Sequence, residues 1–386
     1  MKKTVKLYDI DSYIQNFTAV VTECNAVDNN KYAIVLDRTA FFPEGGGQTS
    51  DTGYINDAKV CDVQIKDGII YHYTDKFICE STQVNCTLNF DERYRKMQNH
   101  SGEHIVSGLI YKHFGLNNVG FHLGDTEVLI DFDGELSREN LNFIEDLANK
   151  AIYKNIPIIC EYPPAEKLSD MNYRSKLSLT EDVRIVTIPE YDCCACCAPH
   201  LNNTGEIGII KLLDFARHKG GVRIHMHCGY DAVKNYRTLY ENNLKISNLL
   251  CAKQNETAMA VQKFQNDYYN LKQKNTELKK ELAEIKINYL PENSRTVYMF
   301  ENGLNIADMR TLANKALKKC NLFAVFCENN NGFTYVVVSD NTDVSEFCKN
   351  MNSVLNGKGG GNGSMIQGSV SAGKEEIERY FISLDN

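Results

Sequence analysis

Residues 97–110 read MQNHSGEHIVSGLI, and this stretch decides how the middle of the chain folds and what it holds. Ile105, Leu109 and Ile110 recur at helical spacing and predict an α-helix with one apolar side. His100 and His104 stand at i and i+4, one turn apart, so their ring nitrogens can converge on one ion. A lone H-x-x-x-H pair more often marks packed or solvated histidines, and by itself it is only half of a zinc site.

The other half lies in residues 192–210, DCCACCAPHLNNTGEIGII. Cys193, Cys194, Cys196 and Cys197 fall within five positions, and His200 follows them. Cys196 and His200, again four apart, would complete a three-histidine, one-cysteine set with His100 and His104. Thiolate with neutral imidazole is the combination Zn2+ favours over Mg2+ or Ca2+.

With both halves in view, the residues resemble the alanyl-tRNA editing proteins (AlaX-like) and the editing domain of alanyl-tRNA synthetase. The Met97-Gln-Asn-His100 opening is followed by Val119-Gly-Phe-His-Leu-Gly124, by the acidic Ile130-Asp-Phe-Asp133 and by Leu201-Asn-Asn-Thr-Gly-Glu-Ile-Gly208, each similar to a family phrase. Cys196-Cys-Ala-Pro-His200 stands where the family has C-G-G-T-H; the end positions are kept and the interior differs, so Cys193, Cys194 and Cys197 remain rival sulfur ligands. Phe41-Phe-Pro-Glu-Gly-Gly-Gly-Gln48, followed by Asp51-Thr-Gly53, matches a further phrase. Consecutive glycines permit positive φ and bring backbone amides close to a ligand. The resemblance therefore implies that Gly45, Gly46, Gly47 and Gln48 meet the tRNA 3′ end, and that Asn118 and His122 lie near the amino-acid pocket. It also implies zinc at His100, His104, Cys196 and His200.

The chain has 386 residues, 43% of them apolar, enough for two or three domains with buried cores. No apolar run approaches the roughly eighteen residues a membrane span needs, and the opening MKKTVKLYDIDSY is strand-like, so no membrane partner and a cytoplasmic location are expected. Apart from the 193–197 cluster, the cysteines are scattered singly, many in apolar segments, which fits a reducing compartment. A formal charge of −8 sits awkwardly with RNA binding. Local basic clusters offset it, and Arg93, Arg95, Arg223 and Lys358 are taken as phosphate contacts together with Gly359, Gly360 and Gly361.

The expected fold class is α+β with four parts. Residues 1–89, short alternating segments between Asn, Asp and Gly turns, read as a small β-barrel. Residues 90–228 read as the α+β zinc-binding editing domain, with helices at 91–114 and 137–154 and strands at 127–133, 157–160, 183–188 and 206–215. His225 and His227 share a strand face and suggest a second metal site, against which the resemblance argues. Residues 229–290 contain a 3-4 spacing of Val261, Phe264, Tyr268, Leu271, Asn275, Leu278, Leu282 and Ile285, a coiled-coil seam with a polar register residue. They read as two helices, 231–251 and 256–288, forming a hairpin or a homodimer contact. Residues 291–386 read as an α/β domain whose Gly359-Gly-Gly-Asn-Gly-Ser-Met-Ile-Gln-Gly368 phrase resembles the DHH-associated domain.

The function implied is a free-standing, zinc-dependent hydrolase that deacylates mischarged tRNA(Ala), carrying serine or glycine. The synthetase's ATP-binding domain is not matched, so ligation is not expected. The alternative is an RNA-binding protein with a purely structural zinc, since a closed four-ligand site is what structural zinc shows.

Overall fold

The computed structural model describes residues 2–28, 31–124, 128–175, 183–340 and 342–384. The chain is a mixed α+β protein that divides into two compact units, Met1–Asn242 and Asn243–Asn386.

In the first unit, six strands pair in a ring, in the order Asn16–Asp28, Lys31–Leu36, Ile69–Thr74, Ala58–Lys66, Gly53–Ile55 and Gln83–Leu88, the last returning to the first. Strict alternation produces the inside. Val84, Cys86 and Leu88 are buried along one strand, and Ile70, His72 and Thr74 along another. Phe41, Phe42, Val21, Ile34 and Ile55 join them in one core.

Helix α1 (Phe90–Phe114) follows the ring, and α2 (Arg138–Lys154) starts at Ser137, whose side chain accepts from Asn140 N as an N-cap. Both pack on an antiparallel sheet ordered Ile210–His218, Gly221–Cys228, Val128–Phe132, Asn118–Leu123. The expected strand at 127–133 is Val128–Phe132, residue 127 lying outside the described residues. A smaller sheet joins Ile159–Glu161, Ile185–Ile188 and Asp192–Ala195. The short helix α3 (Ala165–Asp170) lies between its first two strands in sequence.

α1 is buried on every side over its middle. The apolar stripe that predicted it is one of several buried faces, and two glycines explain how neighbours come so close. A Cβ at Gly102 would sit 2.3 Å from Cys228 Sγ, and one at Gly108 would sit 2.2 Å from Tyr191 O. Lacking side chains there, the helix meets the Gly221–Cys228 strand at one point and the start of the Asp192–Ala195 strand at another.

Helix α4 (Gly229–Leu249) bridges the unit boundary in sequence, and α5 (Thr257–Asn288) follows it in the second unit. The 3-4 stripe on α5 is exposed, from Val261 at 47% to Leu271 at 68%, whereas Ala283 and Ile287 are buried against the following sheet. That sheet runs Ser294–Glu301, Cys320–Asn329, Gly332–Ser339, Met365–Val370, Gly357–Asn362, its first pair parallel across the crossover helix α6 (Ile306–Ala316). Helices α7 (Ser345–Val354) and α8 (Lys374–Ile382) complete a second core on its other face. The glycine phrase is part of this sheet, Gly359–Asn362 in its edge strand and Met365–Gly368 in the strand beside it. A Cβ at Gly359 would collide with Tyr335 Oη at 2.2 Å and one at Gly361 with Met365 O at 2.3 Å, while Gly360 faces open space.

Candidate metal centre

His100, His104, Cys196 and His200 offer ligand atoms that all lie within 4.8 Å of one another. Cys196 Sγ is 3.5 Å from His100 Nε2 and 3.4 Å from His200 Nε2. Tetrahedral zinc with bonds of about 2.1 Å to nitrogen and about 2.3 Å to sulfur separates its ligands by about 3.4–3.6 Å, so the donor set fits that ion in number and chemistry, and these two spacings match it.

Each imidazole is oriented from behind. His100 Nδ1 is 2.9 Å from Gln48 Oε1, His104 Nδ1 is 2.8 Å from Asp192 Oδ2, and His200 Nδ1 is 3.2 Å from Ser101 Oγ. An acceptor at Nδ1 holds the proton there for His100 and His104, and leaves Nε2 as a lone pair facing the cluster. Arg174 pairs with the same Asp192, Nε to Oδ1 and Nη2 to Oδ2, both at 2.8 Å. Burial pushes the Asp192 carboxyl up, but hydrogen bonds from His104 and Arg174 outweigh it and hold the group below the usual carboxylate range. Burial drives His200 well below its ordinary value, helped by the neighbouring His104 and His100, so it is neutral as a ligand must be. Burial drives the Cys196 thiol well up, so in the absence of a cation it stays protonated.

Two of the rival sulfurs lie elsewhere. Cys193 Sγ meets Thr187 Oγ1 at 3.6 Å, and Cys197 Sγ sits against the glycine loop, 3.7 Å from where a Cβ of Gly46 would be. Cys194 forms a second group within 4.8 Å with His104 and Asp192, which shares its histidine with the first.

The cluster opens on a cavity of about 890 Å3. Gly46 and Gly47, with φ of +63° and +84°, line it, and a Cβ at Gly47 would sit 2.3 Å from Phe121 O, so only glycine fits the loop there. Asn118 lines it as well; Gln48 and His122 do not. Gln48 is wholly buried and reaches the site through His100. His122 is exposed because the ring of its neighbour Phe121 packs against His100 at 4.8 Å, and alternation along the strand turns the next side chain away.

The arginines expected at phosphates have partners within the protein. Arg93 is fully buried, paired with Asp51, and donates to the carbonyls of Ala40 and Ser12. Arg95 is committed to Asp231 and the Gly124 carbonyl, and Arg223 is clamped by both oxygens of Asp131. Lys358 and Gly359, Gly360 and Gly361 are exposed. His225 and His227 line a separate cavity of about 480 Å3 with Lys211 and Asp214.

Two family models match: tRNA synthetases class II (A), over residues 6–93, and the threonyl and alanyl tRNA synthetase second additional domain, over residues 183–225, which holds Cys196 and His200. The alanyl-tRNA editing protein AlaX-L of Pyrococcus horikoshii is 28% identical, covering 96% of this chain and 96% of its own. Over nearly its whole length the chain is thus similar to an alanyl-tRNA editing protein. The alanine–tRNA ligases of Pyrococcus furiosus and Pyrococcus abyssi are 30% and 29% identical over 99% and 98% of this chain, but it spans only 44% and 43% of their lengths. Among the described residues no helix is long and apolar enough to cross a membrane.

Sequence reasoning missed Asp192, Arg174, Ser101 and Glu103, of which Asp192, Arg174 and Glu103 line the cavity. Glu103 carried a signal, since an acid beside a histidine ligand inside a buried helix is costly unless it has partners.

Proposed function

We propose that this chain is a zinc-dependent hydrolase that frees tRNA(Ala) from serine and, secondarily, from glycine, acting in the cytoplasm where charged tRNA circulates. The observation that carries the reading is the convergence of His100, His104, Cys196 and His200, the first three of which line a cavity large enough for an aminoacyl ester, in a chain similar to an editing protein. Zinc held by these four residues supplies Lewis acidity toward an ester carbonyl. The chain's own groups do the rest. Gln48 and Asp192 fix the His100 and His104 rings, and the Gly46–Gly47 backbone leaves room for the terminal nucleotide. Lys6 and Lys112, which line the cavity, supply positive charge for phosphates. The exposed Lys358 and the Gly359–Gly361 edge strand are read as a second RNA contact.

We further read the six-strand ring as a small barrel that presents the glycine loop, with parts at 1–89, 90–228, 229–290 and 291–386. The exposed α5 stripe is read as a coiled-coil seam for a second copy. A parallel, in-register pairing would set Asn275 against its own copy and Asp267 beside Lys272.

The test is deacylation of Ser-tRNA(Ala), Gly-tRNA(Ala) and Ala-tRNA(Ala) by the zinc-loaded protein. A site that hydrogen-bonds the serine hydroxyl leaves a polar group unpaired when alanine enters, so serine should be removed at least about tenfold faster. A closed four-ligand set is also what structural zinc shows. RNA binding with no hydrolysis of any ester would establish that second reading.

A further inference from the structure

Among the described residues two carboxylates line the cavity, Asp192 and Glu103. Both Asp192 oxygens are engaged, Oδ1 by Arg174 and Oδ2 by Arg174 and His104. Glu103 differs. It is only 4% exposed, and its Oε1 accepts from Ser107 Oγ and, at 2.5 Å, from Asn118 Nδ2. Asn118 is itself fixed, donating to Ser107 Oγ at 3.0 Å and accepting from Gly120 N at 3.1 Å. Oε2 has no hydrogen-bond partner among the described residues.

Of the cations in the lining, Arg174 is paired with Asp192 and Arg184 with Asp9, while Lys6 and Lys112 add positive charge. The lysines suit a phosphate, and of the two lining carboxylates Glu103 is the one with an oxygen left for a cation. An aminoacyl ester carries one cation, the α-ammonium, bonded to the carbon next to the acyl carbon. Glu103 directly precedes His104 and lies one helical turn after His100, so its carboxylate stands beside the cluster at which the acyl carbon must be placed. A buried carboxylate held rigid at one oxygen and open at the other is preorganised to accept a charge-assisted hydrogen bond.

We propose that Glu103, positioned by Ser107 and Asn118, binds the α-ammonium of the substrate, which would make the site selective for a free α-amino acid ester over other acyl esters. This rests on the hydrolase reading and deepens it. Neither alternative use of the carboxylate distinguishes substrates in this way: a general base, or a purely structural acceptor, acts alike on any ester.

The test compares Ser-tRNA(Ala) with its analogue in which the α-amine is replaced by hydroxyl, using the full-length zinc-loaded protein and Glu103→Gln. Loss of a charge-assisted contact predicts a fall in kcat/KM of about 10- to 100-fold on the aminoacyl ester, with the hydroxy ester changed by no more than about twofold and zinc content retained. Ser107→Ala, which loosens Glu103 without removing its charge, should shift the same ratio in the same direction by a smaller factor, and it carries the comparison if Glu103→Gln does not fold. Equal losses on both esters, or none on either, overturn the assignment while leaving the hydrolase reading intact. If the unmodified protein cleaves neither ester, the hydrolase reading itself has failed.

Discussion

Asp192→Asn isolates the group that orients one imidazole without touching any donor atom of the four-residue cluster. In the native site the carboxylate takes His104 Nδ1–H and two hydrogen bonds from Arg174, all at 2.8 Å. An asparagine of the same shape keeps one acceptor oxygen and turns the other position into a donor. If the oxygen stays with His104, an NH2 faces the Arg174 guanidinium. If it turns to Arg174, the NH2 faces His104 Nδ1 and favours the tautomer whose Nε2 carries the proton, the wrong form for a ligand. Loss of an outer-sphere partner of this kind typically weakens metal binding about 10- to 100-fold, or roughly 1.4–2.7 kcal/mol. The Arg174 side chain is 17% exposed, so leaving it without its anion costs a further ~2–4 kcal/mol of folding stability. Competition for zinc against a chelator measures the first term and urea unfolding of the metal-free protein the second. Zinc affinity within about twofold of the unsubstituted protein would refute the outer-sphere role. Complete loss of metal, with Cys196→Ala retaining it, would show instead that His104, Asp192 and Cys194 hold the ion.

Cys196→Ser should abolish stoichiometric zinc and deacylation together, whereas Cys193→Ser and Cys197→Ser should keep zinc within about threefold; metal analysis of the purified variants decides which sulfur ligates. His72, enclosed in the ring between Thr39 and the Ile34 carbonyl, is pushed down to about 4 by burial, partly opposed by that carbonyl. Against an unfolded value near 6.5, its contribution is fully present above pH ~6.5 and declines by up to ~1.4 kcal/mol per pH unit as pH falls toward ~4. Urea midpoints from pH 7 to pH 4.5 should therefore slope less for His72→Gln than for the native protein, and equal slopes would remove the argument.

The parts legible in the sequence were those governed by short-range period. Two histidines at i and i+4, a cysteine and histidine at i and i+4, and strands that alternate all declare themselves within a few residues, and the structure brings the four ligand atoms together. Groups whose meaning depends on a partner far along the chain did not. Arg93 and Arg95 look like a basic patch until Asp51 and Asp231, 42 and 136 positions away, are found against them. The glycines at 357–361 look like a linker or a ligand loop, yet Gly359 and Gly361 are dictated by the closeness of Tyr335 and Met365 across the sheet. Only Gly360 has space that packing does not claim.

The centre is built on α1 because distant partners fix how that helix is turned. Arg93, Lys96 and His100 follow one another at spacings of three and four, which places them along one face of the helix. They engage, in reverse order, the loop that follows the glycines: Arg93 takes Asp51, Lys96 donates to the Ser50 carbonyl at 2.6 Å, and His100 meets Gln48 at 2.9 Å. Each buried cation is thus neutralised or hydrogen-bonded by a neighbour of Gln48, and removing Asp51 would leave the Arg93 charge in the core without its anion. On the other sides Gly102 and Gly108 admit the Cys228 strand and Tyr191–Asp192. A rotation of the helix by one residue, about 100°, would drive side chains into both close approaches and pull His100 from Gln48 and His104 from Asp192 at once. These buried contacts therefore set the rotational register of the helix, and that register is what lets three imidazoles and a thiol meet at one point.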